Sequence, residues 1–347
     1  MANGTGWKEE YLDENGRTHD GSQEKEEKFF DQIAEQIKRV INHFAKRNGS
    51  PMRGNHAKIL AGIVGAEFQV SHDIPSDLSV GFLAKPGTVY KAHIRFSNAG
   101  SKFRKDDSQP DLRGAAIRIM TEQGDHDFLM TNAEPHHAKD AREAMAAITT
   151  GIDKDIAENI IPGQGLDGVL GGLVAFGELS VHLGPLTALH IARTLKDQMH
   201  REVTSLATET YWSRAPIAIG NVPDPAQSVA VKYKLEPVAA GAHPTDNKQN
   251  LGQGLKNRIS EQAVKFLFRV QRYIDPKKTP IEDATKSWES EFESIAELTI
   301  PQGVEINDDF INSLVFNPWN VDSKAFQPLG SMNRSRKKVY RASASLR

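Results

Sequence analysis

Val89-Tyr90-Lys91-Ala92-His93-Ile94-Arg95-Phe96, running on into Ser97-Asn98, is the stretch that decides the fold. Apolar Ala92, Ile94 and Phe96 alternate with Lys91, His93 and Arg95, the period of a strand with one buried face. Pro86-Gly87 before it and Asn98-Ala99-Gly100 after it supply turn chemistry. Gly65–Val70 on one side and Ala115–Thr121 on the other read the same way, so residues 52–131 are antiparallel sheet. The signal returns late in the chain at Ile217–Gly220, Ser228–Leu235, Phe266–Ile274 and Glu293–Pro301. No linker or internal repeat separates the two sets of strands. They are expected to meet in one sheet, which makes residues 1–347 a single α+β domain.

Helices flank this sheet. Phe29, Phe30, Ile33, Ile37, Val40, Ile41 and Phe44 form one apolar stripe over Glu24–Arg47, which Gly49, Ser50 and Pro51 end. Residues 136–149 are Ala-rich and helical. Met332–Leu346 reads as a basic helix. Residues 1–22 are polar, and a mobile segment is expected there.

The chain has 347 residues, 38% hydrophobic and 25% charged, with a formal net charge of -2. That balance exerts no global pull on nucleic acid or anionic membrane. There is no cysteine, which excludes disulfides, thiolate metal sites, iron–sulfur clusters and a thiolate-bound haem. The polar, acidic N-terminus lacks an apolar signal core, and a cytoplasmic protein is expected. We also expect a homo-oligomer, dimer or tetramer. Residues 168–192 are the most apolar tract. Their glycines, Pro185, His182, His190 and Glu178 argue against a membrane span. A buried helix or a substrate-channel wall fits better, with peripheral lipid contact as a lesser option.

Phosphate-loop, zinc HExxH and GxSxG patterns are absent. His136-His137 are neighbours, and neighbours on a helix diverge by roughly 100°, so a shared metal is not expected. The chemistry-bearing residues are scattered instead: His56 in Arg53-Gly54-Asn55-His56, Ser97 after the strand above, and Asn132 after Met130-Thr131. A neutral imidazole can take a proton from a hydroperoxide and return it to the departing oxygen. A carboxamide can stabilise the charge that develops, and a hydroxyl can fix the imidazole's tautomer. No side chain here supplies electrons, so a redox cofactor is implied. Near the C-terminus, Arg336 and Tyr340 share a helix face. A guanidinium favours the phenolate, which is a hard ligand for ferric haem. Taken singly, each has a plainer reading: His56 as a loop histidine, Ser97-Asn98 as a turn, Asn132 as a helix cap, and the Arg–Tyr pair as a solvated helix end.

In order and spacing, Arg53-x-x-His56-Ala57-Lys58, Arg95-Phe96-Ser97, Asp111-x-Arg113-Gly114, Asn132 with Asp140, and Arg336-x-x-x-Tyr340 resemble the haem catalase superfamily. The resemblance is strongest over 53–140 and 332–347. It implies an antiparallel β-barrel holding haem b (ferric protoporphyrin IX) and wrapped by helices. It also implies His56 as distal acid–base, Asn132 as distal amide and Ser97 as the partner of His56. Tyr340 would be the axial iron ligand, with Arg336 stabilising its phenolate. Arg53, Arg95 and Arg347 would pair with haem propionates, and Asp111 would lie near the substrate channel.

The chain departs from the family in length and in three places. Asn55 replaces an apolar residue before the histidine, His136 and His137 replace aromatic ones, and Ala141–Thr149 lacks an aromatic that stacks on haem. These departures resemble a small catalase-related branch that includes coral allene oxide synthase. The expected activity is peroxidase or weak catalase on hydrogen peroxide or organic hydroperoxides. The alternatives are a fatty-acid hydroperoxide lyase or isomerase and, last, a non-catalytic haem-binding protein.

Overall fold

The computed structural model describes residues 6–13, 16–17, 21–48, 53, 55–100, 106–149, 176–177, 179–222, 224–239 and 241–346. Eight antiparallel strands close into a ring: β1 (Ile59–Val70), β2 (Val89–Asn98), β3 (Arg113–Thr121), β4 (Gly124–Thr131), β5 (Tyr211–Trp212), β7 (Ser228–Pro237), β8 (Val264–Arg272) and β9 (Phe292–Ile300). β9 pairs with β1 through Phe68↔Leu298, and β7 with β8 through Tyr233↔Val270, so the early and late strands share one sheet as expected. β6 (Ile217–Gly220), β10 (Glu305–Ile306) and β11 (Phe326–Pro328) extend it. In β1, Gly65 takes φ +84° where the register to β2 shifts, a bulge that bends the strand into the curve.

The barrel interior is aromatic. Phe68, Phe128 and Phe268 meet with ring centroids 4.8 to 6.5 Å apart. Phe96, Tyr211, Tyr233 and Phe266 join them, among aliphatic residues such as Ile94, Ile117 and Leu298. Each such burial contributes roughly 1.5–3 kcal/mol, which is why the inward-facing positions are mostly apolar; His126, paired with Asp322, is an inward-facing exception. The outward-facing positions of β2 to β4 are where the chemistry lies.

Helices α1 (Gln23–Asn48), α2 (Ala141–Thr149), α3 (Pro185–Met199), α4 (Leu251–Glu261), α5 (Asp308–Ser313) and α6 (Gly330–Ala344) pack outside. The α1 stripe buries Phe30, Ile33, Ile37 and Ile41 with Leu12, Ala141 and Met145. Its stop at Gly49, Ser50 and Pro51 lies outside the described residues. α2 begins five residues later than the Ala-rich pattern suggests, because Asp140 Oδ1 accepts from Glu143 N–H at 3.0 Å and caps it. Sequence periodicity also did not resolve β4, α4 or the short strands.

The expected loose segment 1–22 is instead anchored where it is described. Trp7 and Leu12 are buried, and Trp7 Nε1 donates to Ser228 Oγ at 3.1 Å. Arg334 of α6 holds Glu9 at 2.8 Å, Glu26 of α1 at 2.5 Å and Glu282 at 3.0 Å. One guanidinium thus ties the N-terminal segment, α1 and α6 together. Of the apolar tract, residues 168–175 and Glu178 lie outside the described residues. Ala188 and Ile191 of α3 are buried, while Val181 and Leu186 are exposed. Among the described residues no helix is long and apolar enough to cross a membrane.

Candidate active site

Strand alternation builds the site. Ile94 and Phe96, Ala115 and Ile117, and Phe128 and Met130 point to the barrel core. Their neighbours point outward, and two cross-strand rows follow from the register: Ser97–Gly114–Thr131 and Arg95–Ala116–Leu129. Both rows line a cavity of about 430 Å³, closed on its other sides by residues of α1, α2 and α6. Ile37, Ala144, Met145, Met332 and Val339 make those walls largely apolar.

His56 lies on the Ser97–Gly114 row, in the loop before β1. Its Nδ1 is 3.1 Å from Ser97 Oγ. Its backbone is left-handed, φ +56°, a conformation that costs a non-glycine residue roughly 1–3 kcal/mol. Two contacts hold it there: its N–H donates to Ala99 O at 2.9 Å, and Arg95 Nη2 donates to its carbonyl at 2.8 Å. A Cβ at Gly114 would stand 2.5 Å from His56 Nδ1, so the imidazole lies against bare backbone. Burial, then the charges of Arg95, Arg336, Arg53 and Arg214, push the His56 pKa down to about 3. The ring is therefore a neutral base across the physiological range.

The other expected residues divide. Arg53 and Arg95 line the cavity, and both are tied to the α5 region: Arg53 Nη2 donates to Asn312 O and Leu314 O at 2.8 Å, and Arg95 Nη2 to Asn312 Oδ1 at 3.0 Å. Arg336 and Tyr340 of α6 line the same cavity, Arg336 Nη1 donating to Asn333 Oδ1 at 2.9 Å. Asp111 also lines it and accepts from Gly100 N–H at 3.1 Å. Asn55 is part of the wall. Arg347 lies outside the described residues.

Asn132, expected as the distal amide, does not line this cavity. It is 3% exposed and both ends of its carboxamide are committed elsewhere. Oδ1 accepts from Arg113 N–H at 2.7 Å, and Nδ2 donates to Glu209 Oε2 at 2.8 Å. Thr131, one residue earlier and on the opposite face of the strand, is the polar group that the β4 end presents to the cavity.

His136 and His137 precede α2 rather than lying on a helix, so the divergence expected of helical neighbours does not apply. Their rings stack at 4.2 Å and both face the cavity. Burial holds both pKa values down, that of His137 to about 3. Among the described residues no three His, Cys, Asp or Glu side chains cluster as a metal site.

Sequence reasoning missed three residues at this cavity. Gly114 was visible only as part of a motif, Thr131 only as a neighbour of Asn132, and Arg214 gave no signal. Arg214 also has a left-handed backbone, φ +59°.

An eight-stranded antiparallel barrel wrapped by helices is the fold of the catalases. A bacterial catalase structure superposes with TM-score 0.63 at 17% identity, covering 98% of this chain and 66% of that one. Catalase A from Saccharomyces cerevisiae gives 0.61 at 16%, covering 97% and 70%. The catalase family model matches residues 32–158. The catalase easC of Arthroderma otae is 37% identical over 93 residues, which is 27% of this chain and 19% of that protein. The peroxisomal catalase of Candida boidinii is 37% identical over 105 residues, 30% of this chain and 19% of that one. The chain thus shares the catalase fold over nearly its whole length and matches the catalase family model over residues 32–158. Each curated alignment spans about a fifth of the relative's length.

Proposed function

We propose that this chain is a haem-dependent oxidoreductase that cleaves peroxides, acting as a peroxidase or weak catalase on hydrogen peroxide or organic hydroperoxides. The observation that carries the reading is the neutral His56 imidazole, paired with Ser97 at 3.1 Å on a wall of the cavity that Arg336 and Tyr340 also line.

The residues fit a haem. The cavity walls are largely apolar, with Gly114, Ala116 and Leu129 among the β3 and β4 positions that face it. Gly114 leaves the imidazole room against the sheet, and the arginines suit propionate carboxylates. Tyr340 would hold the iron through its phenolate, Arg336 would favour that ionised form, and Arg53 and Arg95 would take the propionates. Bound there, haem supplies the redox electrons that no side chain in the cavity carries.

The remaining work belongs to the protein. His56, uncharged at neutral pH, accepts the proton of the peroxide's inner oxygen and delivers it to the departing oxygen. Ser97 Oγ fixes the ring's tilt and tautomer. Thr131 Oγ supplies the neighbouring polar contact that Asn132 does not reach. The apolar walls exclude bulk water and strengthen these polar contacts. A cytoplasmic location and a homo-oligomer remain part of this reading.

A second reading is favoured by Asn55, which lines the cavity beside His56. A polar neighbour there competes for the imidazole, as in relatives that rearrange fatty-acid hydroperoxides. The test is to mix the ferric protein with hydrogen peroxide or a fatty-acid hydroperoxide and follow oxygen release, donor oxidation and lipid product. Oxygen release or donor oxidation supports the first reading, and lipid rearrangement without either supports the second. Tyr340→Phe is expected to weaken haem retention and alter the ferric spectrum. A protein that takes up no haem, or a variant with an unchanged spectrum, overturns the site assignment.

A further inference from the structure

Helix α6 carries a buried polar side chain that the peroxide-cleaving reading does not use. Asn333 is 2% exposed and lies outside the cavity lining. It stands three residues before Arg336 and seven before Tyr340, so the three share one face of the helix over about 10 Å of rise. Its carboxamide is committed at both ends. Oδ1 accepts from Arg336 Nη1 at 2.9 Å, and Nδ2 donates to Pro216 O at 2.8 Å. Its backbone carbonyl accepts from Trp319 Nε1 at 2.6 Å. Pro216 and Trp319 belong to two separate segments outside α6, and Pro216 O also accepts from Leu329 N–H at 3.0 Å. The amide is therefore fixed from outside the helix, and the group it holds in turn is Arg336.

Arg336 has little else to hold it. Among the described residues its guanidinium makes that one hydrogen bond and no ion pair. A long arginine side chain left untethered spreads over several rotamers, and Asn333 Oδ1 selects among them. The kind of acceptor matters as much as its place. Arg334, two residues earlier on the same helix, faces away from the cavity and receives the carboxylates of Glu9, Glu26 and Glu282. Arg336 faces the cavity and receives an amide. A carboxylate there would grip the guanidinium as a two-bond fork and cancel its charge. A carboxamide oxygen makes a single bond and leaves the positive charge intact. That charge stays available to Tyr340, the next residue on the same face.

We propose that Asn333 is a positioning residue of the haem site: it fixes Arg336 on the Tyr340 face of α6 and, being uncharged, leaves that guanidinium free to draw electron density from the iron's axial ligand. The proposal rests on the reading above in which Tyr340 binds the iron. An oriented cation beside the ligand makes the phenolate a weaker donor, so the ferric iron is reduced more easily and the haem is held in one geometry.

The test compares haem-loaded full-length wild type with Asn333→Ala, Asn333→Asp and Tyr340→Phe. It follows the ferric spectrum, the reduction midpoint by spectroelectrochemistry and the rate of haem transfer to an apoglobin acceptor, with a thermal melt as control. Asn333→Ala releases Arg336 and is expected to lower the midpoint and to speed haem loss on the order of 10-fold. Asn333→Asp keeps the shape and an acceptor oxygen but neutralises the guanidinium, so it too should lower the midpoint; it carries the test where the alanine variant does not fold. Both shifts should vanish in an Arg336→Gln background, which a general loosening of α6 would not produce. An unchanged midpoint and ferric spectrum in Asn333→Asp overturns the proposal, as does a shift of the same size when Arg336 is already replaced. If Tyr340→Phe alters the ferric spectrum while the Asn333 variants do not, this proposal falls and the axial-ligand reading stands. If Tyr340→Phe leaves the spectrum unchanged, the axial-ligand reading falls and takes the proposal with it.

Discussion

Gly114→Ala tests the claim that the imidazole needs bare backbone beneath it. The added Cβ would stand 2.5 Å from His56 Nδ1, 2.7 Å from its Cε1 and 2.9 Å from Ser97 Oγ. Non-bonded heavy atoms of this kind rest near 3.5 Å, so the ring must retreat by about 1 Å. The backbone cannot carry that movement, because His56 N–H is bound to Ala99 O at 2.9 Å and its carbonyl to Arg95 at 2.8 Å. The side chain swings into the cavity instead and gives up Ser97 Oγ, a hydrogen bond worth about 1 kcal/mol. A misplacement of about 1 Å in a catalytic group costs on the order of 100-fold in rate. Stability should change far less. Overpacking costs about 1–3 kcal/mol, and the loss of glycine's freedom in the unfolded chain offsets about 0.4–1 kcal/mol of it. The assay is steady-state peroxide turnover, with a thermal melt and the ferric spectrum as controls. The expected result is a loss near two orders of magnitude in a folded, haem-loaded protein. A variant that turns over within threefold of wild type would refute the placement of His56 against β3.

The remaining predictions rest on other parts of the fold. His56 and His137 are held neutral down to about 3, and His136 is lowered as well, against an ordinary value of 6.5. The unfolded chain therefore binds more protons as pH falls below about 6.5, and each of the three removes up to about 1.4 kcal/mol of stability per pH unit from there down. Denaturant midpoints at pH 7, 5.5 and 4.5 should fall progressively, and His56→Gln should flatten the decline; an unchanged midpoint counts against the buried neutral histidines. For the same reason peroxide turnover should stay level from pH 8 to pH 5, and a loss centred near 6.5 would contradict the neutral His56. Arg334→Met leaves Glu26 and Glu282 without their cation and should cost about 3–5 kcal/mol, read by chemical denaturation; a loss under about 1 kcal/mol would show that the network is not holding the N-terminal segment. Asn132→Ala leaves the Arg113 N–H without its acceptor, and Glu209 with Arg201 as its remaining partner, and should lower stability by about 1–3 kcal/mol, with turnover per folded molecule within threefold of wild type. A selective hundredfold loss of turnover would restore the distal-amide role.

What the sequence could and could not say follows from the range of the forces involved. The strands around Val89–Phe96 were legible because period-2 alternation is local, and a sheet shared by early and late strands was inferable because the late strands repeat the same pattern; its closure into a barrel came only from the family resemblance. The His56–Ser97 pair was legible only through motif order. The contact itself spans 41 positions and depends on the Ser97↔Gly114 register, which no local pattern encodes. Asn132 shows the limit from the other side. Adjacent strand residues face opposite ways, so a shift of one position decides whether Thr131 or Asn132 meets the cavity, and the Arg113 N–H and Glu209 settle it by capturing the amide. Trp7 looked dispensable in a polar leader because its partners Ser228 and Trp288 lie more than 200 residues away. Arg214 was illegible for a further reason. What sets it apart is something it lacks, a carboxylate partner within a buried site, and a missing interaction leaves no trace in a linear sequence that holds 45 acidic residues elsewhere. Only the folded chain shows that none of the described ones reaches it.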